Sequence, residues 1–181
     1  MDDRITAEKR RVRTAMRAIR AQIAADPADR AVRSARIWAR IVSILDLGAP
    51  SLEGETERAQ MRRVLLYDAL AGEPDSGPWI EWCRARGVAV FTPEVDGPDL
   101  RVMPGDVDPA TLDVVVVPGL AFTADGARLG QGGGHFDRFL VRLRAGCLTI
   151  GVCYAEQLVD HLPTSDLDVH VDRVVTDQDQ A

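Results

Sequence analysis

Residues 113–138 constrain the fold of this chain more than any other stretch. They open with the β-branched run 114–117, turn at Pro118-Gly119, pass through a glycine-rich loop and end in a helical pattern. A continuous apolar run without polar alternation is typical of a strand buried on both faces of a parallel sheet. A strand, a glycine-rich loop and a helix start, in this order, can close backbone N–H groups around phosphate. We therefore take nucleotide chemistry as the first hypothesis.

Patterns elsewhere in the sequence predict further helices and strands. Apolar residues recur at helical spacing over residues 7–25, and Asp26-Pro27 offers an N-cap and a first-turn proline for a second helix. A loop is expected over residues 46–60. Further strands are predicted at residues 64–67, 88–91, 100–103, 148–153 and 169–175, and further helices at 76–87, 136–144 and 155–161.

Strands that alternate with helices predict a three-layer α/β fold. Its sheet is expected to be mainly parallel and Rossmann-like, with helices on both faces and an N-terminal helical hairpin. We expect a single domain over residues 1–181, in which the hairpin (6–47) packs on the α/β body (62–177). In such folds ligands bind beyond the carboxyl ends of the strands, which here points to the loops at 68–75, 118–134 and 154–157.

Composition and charge narrow the function classes. The formal net charge of −6 opposes general nucleic-acid binding, which needs a basic surface. The three cysteines form no C-x-x-C pair, so neither a disulfide framework nor a zinc site is indicated. No stretch approaches the roughly 18 apolar residues of a membrane span, and the N-terminus shows no apolar signal segment. We expect a cytoplasmic enzyme acting on small molecules, without membrane contact or an obligate protein partner.

The glycine-rich loop lacks a lysine of its own and must find positive charge elsewhere. Its pattern, Gly130-x-Gly132-x-Gly134, matches neither the dinucleotide fingerprint nor the Walker A loop. Lys9 is the single lysine among 22 basic residues, and it shares a helix face with a second cation four residues on. The predicted cluster of phosphate-binding cations is Lys9, Arg13, Arg128 and Arg138. The alternative is a plain glycine-rich turn in which Asp137 only caps the following helix.

Four segments together resemble the 5-formyltetrahydrofolate cyclo-ligase family, also called 5,10-methenyltetrahydrofolate synthetases. They are Lys9-x-x-x-Arg13, the loop from Tyr67 through Glu73-Pro74-Asp75, the core 113–138, and Tyr154-x-x-Gln157 followed by residues 162–176. The core is the specific match, through its Pro-Gly-x-x-Phe and Arg-Leu-Gly-x-Gly-x-Gly patterns. The ordered set spans nearly the whole chain.

The resemblance implies closure of 5-formyltetrahydrofolate to 5,10-methenyltetrahydrofolate, dependent on ATP and Mg²⁺, with release of ADP and phosphate. In the family's scheme the formyl oxygen attacks the γ-phosphate, N10 attacks the resulting phosphorylated intermediate, and phosphate leaves. Phosphorylation turns a poor leaving group into a good one. The protein therefore mainly has to align two substrates and offset the charge of the moving phosphoryl group.

The resemblance also assigns site residues by position. ATP would be held by basic side chains and the glycine loop, namely Lys9, Arg13, Arg128, Gly130, Gln131, Gly132, Gly133, Gly134, His135 and Phe136. The folate would contact Asp68, Glu73, Tyr154 and residues 131–135, with Glu73 on the pterin ring. Asp137 and Asp168 would hold the metal. The expected catalytic residues are Lys9, Arg128 and Asp137.

The chain also departs from the family pattern. Gln131 and His135 replace residues that are commonly aromatic or basic, Asp68 replaces one that is usually apolar, and the stretch between Pro93 and Asp113 is short. Two alternatives therefore stay open beside the cyclo-ligase activity. One is a related ATP-dependent enzyme for another formylated or pterin-like substrate, and the other is a non-catalytic nucleotide- or folate-binding module.

Overall fold

The computed structural model describes residues 3–45 and 63–178. The helices are α1 (Asp3–Ala24), α2 (Pro27–Leu45), α3 (Gly77–Ala85) and α4 (His135–Leu140). The strands are β1 (Arg63–Leu65), β2 (Ala89–Asp96), β3 (Asp99–Met103), β4 (Val114–Pro118), β5 (Ala121–Phe122), β6 (Arg128–Leu129), β7 (Leu148–Val152) and β8 (Arg173–Val175). The expected loop at 46–60 lies outside the described residues.

Within the described residues, six strands form one sheet in the order β3-β2-β1-β4-β7-β8. All neighbours run parallel except β2 and β3, which form an antiparallel hairpin at the edge. The chain moves outward from β1 in one direction and from β4 in the other, so the strand order reverses between them. Such a switch point opens a crevice at the carboxyl ends of the two strands.

Side chains from opposite faces of the central strands enter two separate cores. Val64 of β1 and Val116 of β4 pack with Ile37 and Ile41 of α2. On the other face, Leu65 of β1 and Val115 and Val117 of β4 pack with Phe122 and Phe139. Because both faces are covered, the predicted three-layer α/β fold with its mainly parallel sheet and N-terminal helix pair is confirmed.

Asp26 caps α2 as the sequence predicts. Its carboxylate oxygen accepts hydrogen bonds from the backbone N–H groups of Ala28 at 3.1 Å and Asp29 at 3.0 Å, which satisfies donors that the first helical turn leaves unpaired. Proline at the first helical position lacks an N–H that would otherwise need a partner. The cap therefore fixes the residue at which α2 begins.

Two C-terminal elements are shorter than predicted. The helix expected at 155–161 is a single 3₁₀ turn, Ala155–Gln157, because the Val159 N–H leaves the turn to donate to the Phe122 carbonyl at 2.8 Å. The strand expected at 169–175 is formed only at Arg173–Val175, because the Val171 N–H pairs with the Gly126 carbonyl at 3.0 Å. Long-range hydrogen bonds with β5 and with the loop after it thus replace regular secondary structure here. The helix expected at 136–144 likewise ends at Leu140.

An aromatic stack lies beside the loop that follows β1. Trp38 of α2 stacks on Trp79 of α3 with ring centroids 5.0 Å apart, and Trp79 stacks on Trp82 at 6.3 Å. The Trp38 indole N–H donates to the carbonyl of Asp75. The stack therefore ties both helices to the loop at 68–75.

The described cysteines are unbonded, as the sequence predicts. Cys83, Cys147 and Cys153 are all buried free thiols. Burial raises the pKa of Cys83 and of Cys147 to about 11, so both remain protonated thiols near neutral pH. Among the described helices, none is long and apolar enough to cross a membrane.

Candidate active site

A cavity of about 950 Å³ opens at the switch point between β1 and β4. The loop after β1 forms one wall with Tyr67, Asp68, Leu70 and Glu73, and residues 118–120 after β4 form its floor. Helix α1, the glycine loop and a C-terminal segment complete the lining with Thr6, Lys9, Arg13, Arg20, residues 128–138 and residues 165–169. The third expected loop, at 154–157, does not reach the cavity.

The four predicted cations meet in this cavity. Lys9, Arg13, Arg128 and Arg138 all line it. The Arg13 Nε donates to the Gly130 carbonyl at 3.0 Å, and the Arg138 Nη2 donates to the Gly133 carbonyl at 2.8 Å. The arginines thus hold the loop as well as supplying charge. Burial, followed by the nearby charge of Arg17, lowers the pKa of Arg13.

Two glycines of the loop lie directly beneath arginine side chains. A Cβ built on Gly130 would stand 2.6 Å from the Arg128 Nη1, and one on Gly134 would stand 2.8 Å from the Arg138 Nη1. Gly132 has φ +115°, a region that side chains rarely adopt. The positive φ angles of Gly132 and Gly134 (+66°) therefore favour glycine at these two positions, and the guanidinium groups lie close to the loop backbone.

Each predicted metal ligand is paired with a predicted phosphate-binding cation. The Lys9 ammonium contacts the two carboxylate oxygens of Asp168 at 2.5 and 2.8 Å, and the Arg128 Nη2 donates to the Asp137 Oδ1 at 3.0 Å. Burial alone would raise the pKa of Asp168, but hydrogen bonds from Lys9 and Ser165 outweigh it and leave that pKa lowered. Both predicted metal ligands therefore already form an ion pair with a basic side chain.

The described residues offer Mg²⁺ two carboxylates and no larger cluster. No group of three or more His, Cys, Asp or Glu side chains capable of holding a metal occurs within 3–45 and 63–178. Mg²⁺ commonly binds proteins through one or two carboxylates, with water and substrate phosphates filling the other positions. Asp137 and Asp168 fit that mode, in which a nucleotide supplies the remaining oxygens.

Glu73 stands at the opposite end of the cavity from Lys9. Its Oε1 accepts from the Arg20 Nη2 at 2.9 Å, and its Oε2 accepts from the Leu70 N–H at 2.9 Å. Its backbone carbonyl accepts from the Arg30 Nε at 2.8 Å. Asp68, on the same loop, is exposed at the rim.

Tyr154 does not line the cavity, unlike the other predicted substrate contacts. Its ring is fully buried, and its hydroxyl lies 3.1 Å from the Ser34 hydroxyl and donates to the Glu73 carbonyl at 3.2 Å. Burial raises the pKa of Tyr154. This side chain lies behind Glu73 rather than in the cavity wall, because the turn after β7 points it into the core.

Two of the positions that depart from the family pattern, His135 and Gln131, contact the edge hairpin and α1, respectively. Ring nitrogen Nε2 of His135 lies 3.3 Å from the Gly97 carbonyl at the β2–β3 turn. The Gln131 side chain accepts from the Arg17 Nη2 at 3.1 Å. The half-buried ring of Phe136 lies under the Arg128 guanidinium at 5.5 Å. The short stretch after Pro93 is thus a compact hairpin whose turn covers the start of α4.

Arg20 is a charged cavity residue that the sequence analysis did not predict. It is 6% exposed and lies seven residues after Arg13, so helical spacing places it on the same face of α1. That spacing was the available signal. Its partner Glu73, however, is 53 positions away, and no local pattern joins the two.

The chain is similar to known proteins in sequence and in fold. Residues 98–177 match the model of the 5-formyltetrahydrofolate cyclo-ligase family. The 5-formyltetrahydrofolate cyclo-ligase of Escherichia coli is 40% identical over 141 residues, covering 62% of this chain and 76% of that protein. The enzyme of the same name from Mycolicibacterium smegmatis is 41% identical over 64 residues, 35% of this chain and 33% of the relative. The chain spans about a third of the length of the first curated relatives it matches.

Two solved structures resemble the fold over nearly its full length. The 5,10-methenyltetrahydrofolate synthetase from Mycoplasma pneumoniae superposes with a TM-score of 0.79 at 21% identity, covering 98% of this chain and all of that one. The synthetase from Aquifex aeolicus superposes with a TM-score of 0.75 at 25% identity, covering 94% and 90%. The fold is therefore shared beyond the segment that the family model matches.

Proposed function

Because the chain belongs to the 5-formyltetrahydrofolate cyclo-ligase family, we propose that it closes 5-formyltetrahydrofolate to 5,10-methenyltetrahydrofolate with consumption of ATP. The observation that carries the proposal is one cavity that brings cations and a carboxylate to opposite ends. Lys9, Arg13 and Arg128 suit phosphate, and Glu73 suits the N–H groups of a pterin ring. ADP and phosphate are the other expected products.

The phosphate end binds and aligns the nucleotide. Lys9 and Arg128 exchange their carboxylate partners, wholly or in part, for phosphate oxygens, which brings positive charge to the group that moves. Arg13, whose Nε is bonded to Gly130, presents the rest of its guanidinium group to the same region. The glycine loop offers its backbone without side chains in the way, so a phosphate chain can lie against it.

Mg²⁺ fits the same end of the cavity. Asp137 and Asp168 would hold the ion together with phosphate oxygens, as its usual coordination requires. When bound, the ion supplies neutralisation of phosphate charge. Asp137 and Asp168 would then release the cations that they pair with, so that Lys9 and Arg128 can turn toward the nucleotide.

The folate end orients the second substrate. Each Glu73 carboxylate oxygen accepts one hydrogen bond within the protein, and a carboxylate offers about four acceptor positions. Glu73 can therefore accept two N–H groups from a pterin ring. Asp68 and the exposed face of residues 131–135 border the same space. Holding both substrates in register supplies the proximity that the reaction needs.

The assay that tests the proposal combines the protein, Mg-ATP and 5-formyltetrahydrofolate and follows methenyl absorbance and ADP release together. Both products in equal amounts are expected. ADP release only with a different formylated or pterin-like substrate would replace this activity with that of a related enzyme. Saturable ATP or folate binding without turnover would make the chain a binding module.

The cytoplasmic location stays a prediction, and one relative, from Arabidopsis thaliana, is a mitochondrial form.

A further inference from the structure

Helix α1 presents a row of cations to the cavity. Lys9, Arg13 and Arg20 line it, separated by four and seven residues. At about 100° per residue the three side chains leave the helix within about 40° of one another, and at about 1.5 Å per residue the row is about 16 Å long. The row runs from the phosphate end, at Lys9, to Glu73. One rigid element therefore touches both ends of the site.

The last cation of the row holds the carboxylate of Glu73. The Arg20 Nη2 lies 2.9 Å from the Glu73 Oε1, and both side chains are 7% exposed. The same nitrogen lies 3.4 Å from the carbonyl of Ala71 in the loop. Gly72 has φ +77°, and a Cβ on it would stand 2.4 Å from the Arg20 carbonyl oxygen. The loop that carries Glu73 is therefore seated directly on α1 at Arg20.

This ion pair is poorly arranged for stability alone. The Arg20 Nη1 is buried and has no hydrogen-bond partner among the described residues. A buried donor without a partner is costly, and buried ion pairs are often no more stabilising than apolar side chains of the same size. The pair stands where a carboxylate faces the cavity. The arrangement of the pair therefore favours a role in orienting the Glu73 carboxylate.

We infer that Arg20 is a positioning residue for the folate. It fixes the Glu73 carboxylate with the remaining lone pairs of both oxygens open to the N–H groups of the bound ring. Since Lys9 and Arg13 lie on the same helix, Arg20 also sets the distance between that ring and the phosphates. The inference rests on the proposed function, because it takes the ligand at Glu73 to be a pterin.

A double-mutant cycle on binding tests this role. The variants are Arg20→Gln, Glu73→Gln and the double substitution, with Arg11→Gln, on an exposed position of α1, as the matched control. Calorimetry measures 5-formyltetrahydrofolate binding without ATP and, separately, Mg-ATP binding. Arg20→Gln is expected to weaken folate binding about tenfold and to change ATP affinity less than twofold. In the Glu73→Gln background the same substitution is expected to change folate affinity less than twofold.

Equal losses in both backgrounds would overturn the inference, because Arg20 would then act without Glu73. A matching loss of ATP affinity would overturn it as well, since α1 as a whole would have shifted. If Arg20→Gln fails to fold, Arg20→Lys takes its place. The shorter side chain is expected to cost about threefold in folate affinity, again only when Glu73 is present, and unchanged affinity would count against the role. If the wild-type protein catalyses the reaction but the effects of the two substitutions are additive, only this inference fails. If the wild-type protein binds no reduced folate, the proposed function fails as well.

Discussion

Two ion pairs join basic and acidic residues at the proposed phosphate end of the cavity. Lys9 and Asp168 neutralise each other, and Arg128 and Asp137 do the same. Each pair joins a cation that suits phosphate to a carboxylate that suits Mg²⁺. Binding of the complex of ATP with Mg²⁺ can replace both partners of each pair at once, which keeps every charge matched. ATP and the ion are therefore expected to bind together.

Lys9→Ala is expected to raise the KM for ATP at least about tenfold, because a charged contact to phosphate is lost and Asp168 is left without its partner. The KM for the folate should change much less. Steady-state kinetics with each substrate varied in turn measures the split. Arg10→Ala, on an exposed neighbouring position of α1, is the control and should behave as the wild type. An Lys9→Ala enzyme with wild-type ATP kinetics would remove Lys9 from the nucleotide site.

Asp137→Ala is expected to lower the rate in a manner that depends on Mg²⁺. The substitution removes one of the two carboxylates proposed for the ion, so a higher Mg²⁺ concentration should be needed for half-maximal rate. Rates measured over a Mg²⁺ titration at fixed ATP provide the comparison. A rate reduced by the same factor at every Mg²⁺ concentration would instead assign Asp137 to the orientation of Arg128.

Among the structural elements, those built from local patterns were predictable from the sequence. The run 114–117 lies at the centre of the sheet, and the apolar stripes of α1 and α2 face inward. The shared helix face of Lys9 and Arg13 likewise brought those cations to one cavity. Such features depend on spacings of two to four residues, which a single segment contains.

Elements that depend on distant partners were not predictable in the same way. Residues 169–172 have strand-like composition, but the Val171 N–H pairs with Gly126 and Asp172 is held by Thr149. Tyr154 precedes a short turn, and only the packed fold shows that its ring points inward. The pair of Arg20 and Glu73 joins a helix to a loop through tertiary contact alone. In each case, the interaction that determines the local structure joins residues that are far apart in the sequence.

Strand β7 contains a glycine where the other central strands carry branched side chains. A Cβ on Gly151 would stand 2.4 Å from the Phe122 ring, which is fully buried. Gly151→Ala is therefore expected to lower the free energy of unfolding by about 1–3 kcal/mol through overpacking. Urea denaturation followed by circular dichroism measures the change. Gly77→Ala, whose Cβ would lie 3.4 Å from its nearest neighbour, should unfold like the wild type.

At the scale of the whole molecule, the N-terminal helices share a core with the sheet. Ile37 and Ile41 pack with Val64 and Val116. Arg33 of α2 also donates to the Asp177 carboxylate at 2.7 Å, after β8, and this pairing together with that of Glu156 outweighs burial and raises the pKa of Arg33. Helices and body thus depend on each other for burial.

The single domain predicted from the sequence implies one cooperative unfolding transition. Loss of helix, measured by far-ultraviolet circular dichroism, and exposure of the buried Cys83, measured by thiol labelling, should share one midpoint in urea. Separate midpoints would show that the helical pair and the α/β body unfold as independent units. Arg33→Ala is expected to lower the common midpoint without splitting it, since it removes a link between the two parts.

The aromatic stack described above gives the molecule a built-in optical reporter. Trp38, Trp79 and Trp82 are all the tryptophans of the chain, and the first is bonded to the carbonyl of Asp75, two residues beyond Glu73. Tryptophan emission therefore comes from one location, next to the loop that carries Glu73. Occupancy of the folate end is expected to change the emission, and Mg-ATP alone to leave it nearly constant. Binding of a reduced folate can thus be followed in solution on the unlabelled protein, with Mg-ATP as the control ligand that leaves the signal unchanged.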